Sequence, residues 1–211
     1  MVALESQCAE RPSAPRRRKQ VLDAAECCFR LHGFHTTSMA QIAGKAQMSV
    51  GHIYRYFPSK SEIIAAIVER DVSLAMDDFD ALEASEAGIL PAFFAQWRTK
   101  IETLSEPGRS VMWLEILAEA ARNPAAAEVI REARAQVSSR LCRLIEAGAP
   151  GRWSAAEIRS KVELLMLLCD AVACRVVVDP EHGQSAMSAR GSDQLIAFAR
   201  FVLEQDEAAQ V

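Results

Sequence analysis

The segment from Ser38 to Lys60 places two short helical patterns around a tight turn, and this arrangement constrains the fold more than any other stretch. It reads SMAQIAGKAQMSVGHIYRYFPSK. Ser38 and Ser49 are N-cap residue types, each followed by a short amphipathic pattern, and Pro58 ends the second helix. Two short helices joined in this way predict a helix-turn-helix, whose second helix has the right size for a DNA major groove.

The rest of the chain repeats the helical periodicity, with apolar residues three and four positions apart. Good helix formers dominate and the chain has only two Tyr, so we predict an all-α fold. The predicted helices cover residues 16–32, 39–45, 50–56, 59–82, 89–104, 109–121, 124–147, 154–178 and 192–206. The predicted domains are a disordered N-terminal arm over 1–15, a three-helix helix-turn-helix domain over 16–62 with a connecting helix over 57–82, and a C-terminal helical bundle over 83–211.

Charge is distributed unevenly along the chain of 211 residues. Residues 1–70 contain 10 Lys and Arg against 6 Asp and Glu, whereas residues 71–211 contain 14 against 22. A basic N-terminal segment in an otherwise acidic chain is expected where that end of the protein binds the phosphates of a nucleic acid.

Several function classes have no support in the sequence. The N-terminus lacks the apolar core of a signal peptide, and the apolar stretch Leu164–Cys169 is too short to span a membrane, so we expect a cytoplasmic protein. The six cysteines should then be reduced, and their spacing does not suit zinc. The motifs of phosphate-binding loops, metalloproteases and nucleophile elbows are missing, so we expect no enzyme, cofactor or metal.

The candidate DNA contacts fall into three groups. Small residues that permit close backbone approach are Ser49, Val50 and Gly51. Donors and aromatic faces for bases or phosphates are His52, Tyr54, Arg55 and Tyr56. Helix-start residues and a cation suited to phosphates are Thr36, Thr37, Ser38 and Lys60. Thr37 is equally suited to cap a helix, and Tyr54 and Tyr56 are equally suited to pack in the core of the small domain.

The helix predicted over 154–178 is apolar nearly all round, so one side should face the chain's own core and the other a partner. The candidate interface residues are Val162, Leu165, Cys169, Val172, Leu195, Phe198 and Val202. Candidate ligand-pocket residues are Phe93, Phe94, Trp97, Met112, Trp113, Leu117, Met166, Asp170 and Arg175, although aromatic and Met side chains at helical spacing also suit a core. Asp170 and Arg175 interrupt an apolar helix, and fit either an ion pair or a polar ligand.

The stretch GFHTTSMAQIAGKAQMSVGHIYRYFPSKSEIIAAI closely resembles the DNA-binding region of the TetR (tetracycline-repressor-like) family of bacterial regulators. The resemblance covers roughly Arg16 to Arg70, with G-F-x-x-T-S, I-A and S-x-G-x-I-Y-x-Y-F-x-S-K in register. The segment WLEILAEAARNP, from Trp113 to Pro124, is similar to one in several family members. Gln47 occupies a turn position where the family usually has Gly, at a cost of roughly 1 kcal/mol.

The resemblance implies a homodimeric all-α repressor that binds operator DNA, with a small-molecule pocket and the dimer interface in the C-terminal bundle. The positions matching the family's DNA contacts are Thr37, Ser49, Gly51, Tyr54, Tyr56 and Lys60, with Val50, His52 and Arg55 as additions. We expect the long helix over 59–82 to transmit effector binding to DNA release. The alternative is a thiol redox regulator on the same fold, using Cys169 and Cys174.

Overall fold

A computed structural model describes residues 13–179 and 189–204. This part of the chain forms nine α-helices and no β-strand. The helices are α1 Ala14–His32, α2 Met39–Lys45, α3 Val50–Tyr54, α4 Lys60–Glu83, α5 Ile89–Leu104, α6 Pro107–Ala120, α7 Pro124–Gly148, α8 Ala155–Val178 and α9 Ala189–Glu204. The all-α prediction is therefore confirmed. Most of the predicted N-terminal arm, residues 1–12, lies outside the described residues.

Local capping chemistry explains where several helices begin and end. The hydroxyls of Ser38, Ser49 and Ser154 each accept a hydrogen bond from a backbone N–H in the first turn of α2, α3 and α8. The Asn123 side chain accepts from the N–H groups of Ala125 and Ala126 at the start of α7. At the end of α1, Gly33 adopts φ 79°, a conformation that favours glycine.

The structure divides into two compact units, with the boundary between Ile63 and Ile64 inside α4. In the first unit, α2 packs against α1 and α3 packs against α2. Phe29, Ile42, Ile53 and Phe57 are almost completely buried. This small core fixes the angle of the two short helices, so their remaining faces are free to serve as a surface.

The second unit packs α5, α7, α8 and α9 around one hydrophobic core, joined by the C-terminal end of α4 at Leu82. Hydrogen bonds and ion pairs connect helices that lie far apart in sequence. Arg98 of α5 pairs with Asp193 of α9 at 2.5 Å, and the buried Lys161 of α8 donates to the Val202 carbonyl at 2.7 Å. Among the described residues, no helix combines the length and hydropathy needed to cross a membrane.

Candidate nucleic-acid interface

The helix-turn-helix consists of α2, a turn through Gln47, and α3. Ser38 and Gln41 form a reciprocal capping box at the start of α2, with N···O distances of 3.2 and 2.7 Å. Gln47 has φ 52°, the left-handed conformation expected from its place in the turn. Gln20 of α1 donates to the Ala46 carbonyl at 2.8 Å, which fixes the turn to the first helix.

The exposed face of α3 carries five of the predicted contact residues: Ser49, Val50, Gly51, Tyr54 and Arg55. Tyr54 is 49% exposed and Val50 37%, although both are large side chains on a helix of five residues. A Cβ added at Gly51 would meet no atom within 4 Å. The fold therefore does not require a glycine there, and its absent side chain leaves the backbone open to an outside surface.

His52 and Tyr56 are half-buried and contact each other, with ring centroids 5.3 Å apart and planes tilted by 41°. Their contact orders the aromatic edge of α3. On the opposite side of the helix, Ile53 and Phe57 are buried. The Arg18 guanidinium lies 4.4 Å from the Phe57 ring centroid, and this contact attaches the buried side to α1.

Two predicted phosphate contacts have other roles. Thr37 is 1% exposed, and its hydroxyl donates to the Gly33 carbonyl at 2.8 Å, with the Cys28 carbonyl at 3.2 Å. The Lys60 ammonium donates to the carbonyls of Phe34 and His35 at 2.5 and 3.2 Å. Both side chains hold the α1–α2 connection in place, and their contact with DNA stays a prediction. Thr36 and Ser38 are exposed, as a phosphate contact requires.

A basic cleft on the first unit lies outside the predicted set. It has a volume of about 600 Å³ and lies between the start of α1 and the end of α2, with Arg16, Arg17, Lys19 and Lys45 among its lining residues. Part of its charge is neutralised locally, since Lys19 pairs with Asp23 at 2.8 Å. The run Arg16-Arg17-Arg18-Lys19 was the available sequence signal, but its proximity to Lys45 depends on how α1 crosses α2.

The predicted pocket residues of the second unit lie in different surroundings. Phe93, Phe94, Trp97 and Met112 are buried, and the first three belong to the hydrophobic core. Asp170 pairs with Arg134 at 2.9 Å, and Arg175 pairs with Asp179 at 3.0 Å. Trp113 and Leu117 are half-buried on α6. The assignment of these residues to a ligand pocket stays a prediction.

A groove of about 1030 Å³ lies instead between α7 and α8. Of the predicted pocket residues, Met166 lines it, and Arg134, the ion-pair partner of Asp170, lines it too. Sequence patterns could not reveal this groove, because it depends on the spacing of two helices and on the side chains that line both.

The predicted interface residues also need correction. Val162, Leu165, Val172 and Val202 are at most 7% exposed in the single chain, so they are not available to a partner. Cys169 and Leu195 are partly buried against the same core. On these two helices, the large exposed apolar side chains are Leu164, Leu167 and Val178 of α8 and Phe198 and Phe201 of α9. Of the predicted set, Phe198 alone belongs to this exposed group.

The two cysteines of the redox alternative lie in different surroundings. Burial raises the pKa of the Cys169 thiol to about 11, so it remains protonated near neutral pH. Cys174 is exposed on α8. A redox pair requires a reactive thiolate, and the environment of Cys169 opposes its formation.

A three-helix unit with an exposed helix-turn-helix face, followed by an all-helical unit, defines the class of helix-turn-helix transcriptional regulators. The profile described as "Bacterial regulatory proteins, tetR family" matches residues 21–67, and "BetI-type transcriptional repressor, C-terminal" matches residues 101–198. The chain belongs to the TetR family.

Named relatives show how far the similarity extends. The chain is 31% identical to the regulator UidR of Escherichia coli over 117 residues, which are 54% of this chain and 57% of UidR. The chain thus spans just over half the length of that relative. Salmonella enterica GusR has 25% sequence identity and a TM-score of 0.75, covering 92% of this chain and 98% of that chain. Bacillus subtilis FadR, solved with stearoyl-CoA, has 18% identity, a TM-score of 0.68, and coverages of 88% and 95%.

Proposed function

We propose that the protein is a homodimeric repressor that binds operator DNA through α3 and is released by a small-molecule effector. The observation that carries the proposal is the exposed face of α3. Tyr54 and Val50 remain accessible while Ile53 enters the core, and the backbone at Gly51 is open. Such a helix can enter a major groove with its N-terminal turn close to the bases.

Each contact has a role that its geometry supports. Tyr54 and the His52–Tyr56 pair provide donors and ring faces for base edges or nearby phosphates. Arg55, Thr36 and Ser38 are exposed and suit phosphates. We add the basic cleft lined by Arg16, Arg17, Lys19 and Lys45 as a second phosphate contact.

Dimerisation would use the exposed apolar side chains of α8 and α9. The Phe198 and Phe201 rings lie 6.5 Å apart in a stacked arrangement, and Leu164 and Leu167 are about half exposed on α8. A surface of this character is typical of an association site. A two-fold dimer would read two half-sites about one helical turn of DNA apart, roughly 34–36 Å, or a multiple of that.

Effector control would pass along α4, which runs from Lys60 in the first unit to Glu83 in the second. Arg140 of α7 donates to Asp80 at 2.6 Å and to Glu83 at 2.9 Å, and the bond to Glu83 lowers the pKa of that carboxyl. A displacement of α7 would therefore act directly on the end of α4. A coupling free energy of about 1–3 kcal/mol is enough to change operator occupancy substantially.

A gel shift with the DNA upstream of the chain's own gene tests operator binding. Affinity should fall about 1000-fold between 50 and 200 mM salt if six phosphates are neutralised. Tyr54→Ala should abolish specific binding and leave the dimer intact, whereas Leu31→Ala, which removes a side chain that is 69% exposed on α1, should have no effect. Full affinity in the Tyr54 variant would overturn the contact assignment.

The coupling mechanism needs a separate measurement. Distances between spin labels on the two DNA-binding units of a dimer should change when an effector releases the operator. Release without any change in that distance would contradict transmission through α4 and leave DNA binding itself unaffected.

A further inference from the structure

The groove between α7 and α8 is lined by four arginines, although it lies in an acidic part of the chain. Residues 71–211 contain 14 Lys and Arg against 22 Asp and Glu. The groove lining contains Arg131, Arg134, Arg143 and Arg159 together with Glu146 and Glu163. Guanidinium groups suited to carboxylates and phosphates are therefore gathered at this groove, although the unit as a whole is acidic.

Two of these arginines are available for a ligand. Arg134 is held by Asp170 at 2.9 Å, and Arg131 pairs with Glu128 at 2.5 Å. Arg143 donates to the Ser139 hydroxyl at 3.2 Å and attracts the Glu83 carboxylate, and neither Arg143 nor Arg159 forms an ion pair with any residue in the described part of the chain. Both are exposed at the groove, with guanidinium groups able to form two parallel hydrogen bonds to a carboxylate or phosphate.

The groove also has an apolar wall. Trp153 and Ile158 are almost completely buried and Met166 is half-buried, and all three line the groove. The indole Nε1–H of Trp153 is buried and has no acceptor among the described residues. A buried donor without a partner carries a free-energy cost.

The surroundings of Trp153 add further positive charge. The Arg152 guanidinium lies 4.6 Å from the Trp153 ring centroid, and the Lys161 ammonium lies 5.1 Å from it. Lys161 is itself buried, and its Nζ donates to the Val202 carbonyl. The apolar wall is therefore bordered by cations, and this combination matches a ligand that carries both an anion and an apolar body.

We infer that the α7–α8 groove binds an amphipathic anion, a small molecule with a carboxylate or phosphate on an apolar, bulky body. The anion contacts Arg143 and Arg159, and the body packs against Trp153, Ile158 and Met166. The volume of about 1030 Å³ is at the upper end of the ~300–1000 Å³ typical of small-molecule sites. The shared chemistry is the anion, and the identity of its headgroup is decided by the test below.

The same helix connects this groove to the proposed DNA release. Arg143 and Ser139 of α7 line the groove, while Arg140 on the same helix bonds to Asp80 and Glu83 of α4. An anion drawn to Arg143 acts on the helix that holds the end of α4. The assignment of this ligand as the effector rests on the proposed function, whereas its binding to the groove does not.

Isothermal titration calorimetry at 150 mM salt with probes of one shape and different charge tests the groove. The probes are 2-naphthoate, 2-naphthyl phosphate, 2-naphthalenemethanol and 2-naphthylmethylamine. At least one anion should bind, and the alcohol and the amine should bind at least about tenfold more weakly. The stronger of the two anions identifies the headgroup. Equal binding of the charged and neutral probes, or no binding of either anion, would overturn the inference.

Variants locate the site. Arg143→Gln with Arg159→Gln should weaken binding of the preferred anion by about tenfold or more. Arg122→Gln, which removes an exposed arginine outside the groove, is the matched control and should leave binding unchanged. The chain has three Trp, so Trp153→Phe shows whether ligand-induced fluorescence quenching originates in the groove. Unchanged affinity in the double variant, with unfolding temperatures equal to the control, refutes the site.

Adding the preferred anion to a protein–operator complex separates the two proposals. Loss of the complex in the unchanged chain but not in the double variant supports the effector role. Binding without release excludes that role and retains the groove. Absence of binding refutes the groove, while the gel shift without ligand still tests the repressor function.

Discussion

Gly51 is the residue at which fold stability and DNA binding should respond in opposite directions. It is exposed in α3, and an added Cβ would have no neighbour within 4 Å. Glycine in a helix is less favourable than alanine by up to about 1 kcal/mol, because it loses more conformational freedom on folding. In a helix of five residues we expect Gly51→Ala to stabilise the protein by about 0.5 kcal/mol.

The same methyl group should weaken operator binding. If the α3 backbone approaches the DNA closely at Gly51, a side chain there holds the helix outward and lengthens the neighbouring hydrogen bonds. Losing one or two such bonds, at about 1 kcal/mol each, corresponds to an affinity loss of roughly tenfold for alanine. Gly51→Leu adds more bulk and should cause a loss greater than about 100-fold, with little change in stability.

Gly44 provides the matched control. It is also a helical glycine, lies on α2, is exposed, and has no atom within 4 Å of an added Cβ. Gly44→Ala and Gly44→Leu should change stability as the Gly51 variants do and leave operator affinity unchanged. Thermal unfolding measures the stability, and fluorescence anisotropy of labelled operator DNA measures the operator affinity. Equal affinities for Gly51→Leu and Gly44→Leu would refute the reasoning.

Three further predictions address other parts of the molecule. Gln47→Gly should raise the free energy of unfolding by about 1 kcal/mol, because φ is 52° there; denaturant titration measures this, and an unchanged midpoint contradicts it. Iodoacetamide should modify Cys174 much faster than Cys169 at pH 8, because roughly one Cys169 thiol in a thousand is ionised there if its pKa is about 11. The modification rate of Cys169 should still rise above pH 10. Equal rates for the two thiols, measured by peptide mapping, would support the redox alternative. Phe201→Glu should shift dimer to monomer in analytical ultracentrifugation without unfolding the chain, since Phe201 is 55% exposed; an unchanged dimer places the interface elsewhere.

Helix positions were predictable because their signals are local. The sequence predicts helices over 39–45 and 89–104, and the structure has α2 at Met39–Lys45 and α5 at Ile89–Leu104. Serine caps, Gly33 and the prolines act through backbone groups a few residues away. The identities of neighbouring residues are therefore sufficient to predict where a helix begins or ends. The left-handed turn at Gln47 was expected from the resemblance to the TetR family, which usually has Gly at this position.

Side-chain partners were not predictable where the acceptor is a backbone carbonyl. Thr37 and Lys60 have the chemistry of phosphate contacts, and nothing in their spacing indicates that they turn inward. Lys60 bonds to Phe34, 26 residues away, and any residue type at position 34 would present the same carbonyl. The sequence therefore supplies the donor but cannot identify its acceptor.

The orientation of α8 was ambiguous for a different reason. A helix that is apolar nearly all round gives no contrast between a core face and a partner face. The structure buries Val162 and Leu165 and exposes Leu164 and Leu167. All four are aliphatic, and each exposed residue lies only one or two positions from a buried one. Packing against α5, α6, α7 and α9 decides this choice, and no single residue determines it.

The ion pair between α5 and α9 has a consequence for how the protein is made. Arg98 and Asp193 are 95 residues apart, whereas the bonds that close the first unit span 26 residues or fewer. Contacts close in sequence form early, so the helix-turn-helix can fold while later residues are still being translated. Synthesis from Ile63 to Glu204 takes roughly 7–28 s at ~5–20 residues per second. During that interval the second unit is incomplete, and the Arg98–Asp193 ion pair can form only after α9 has been synthesised.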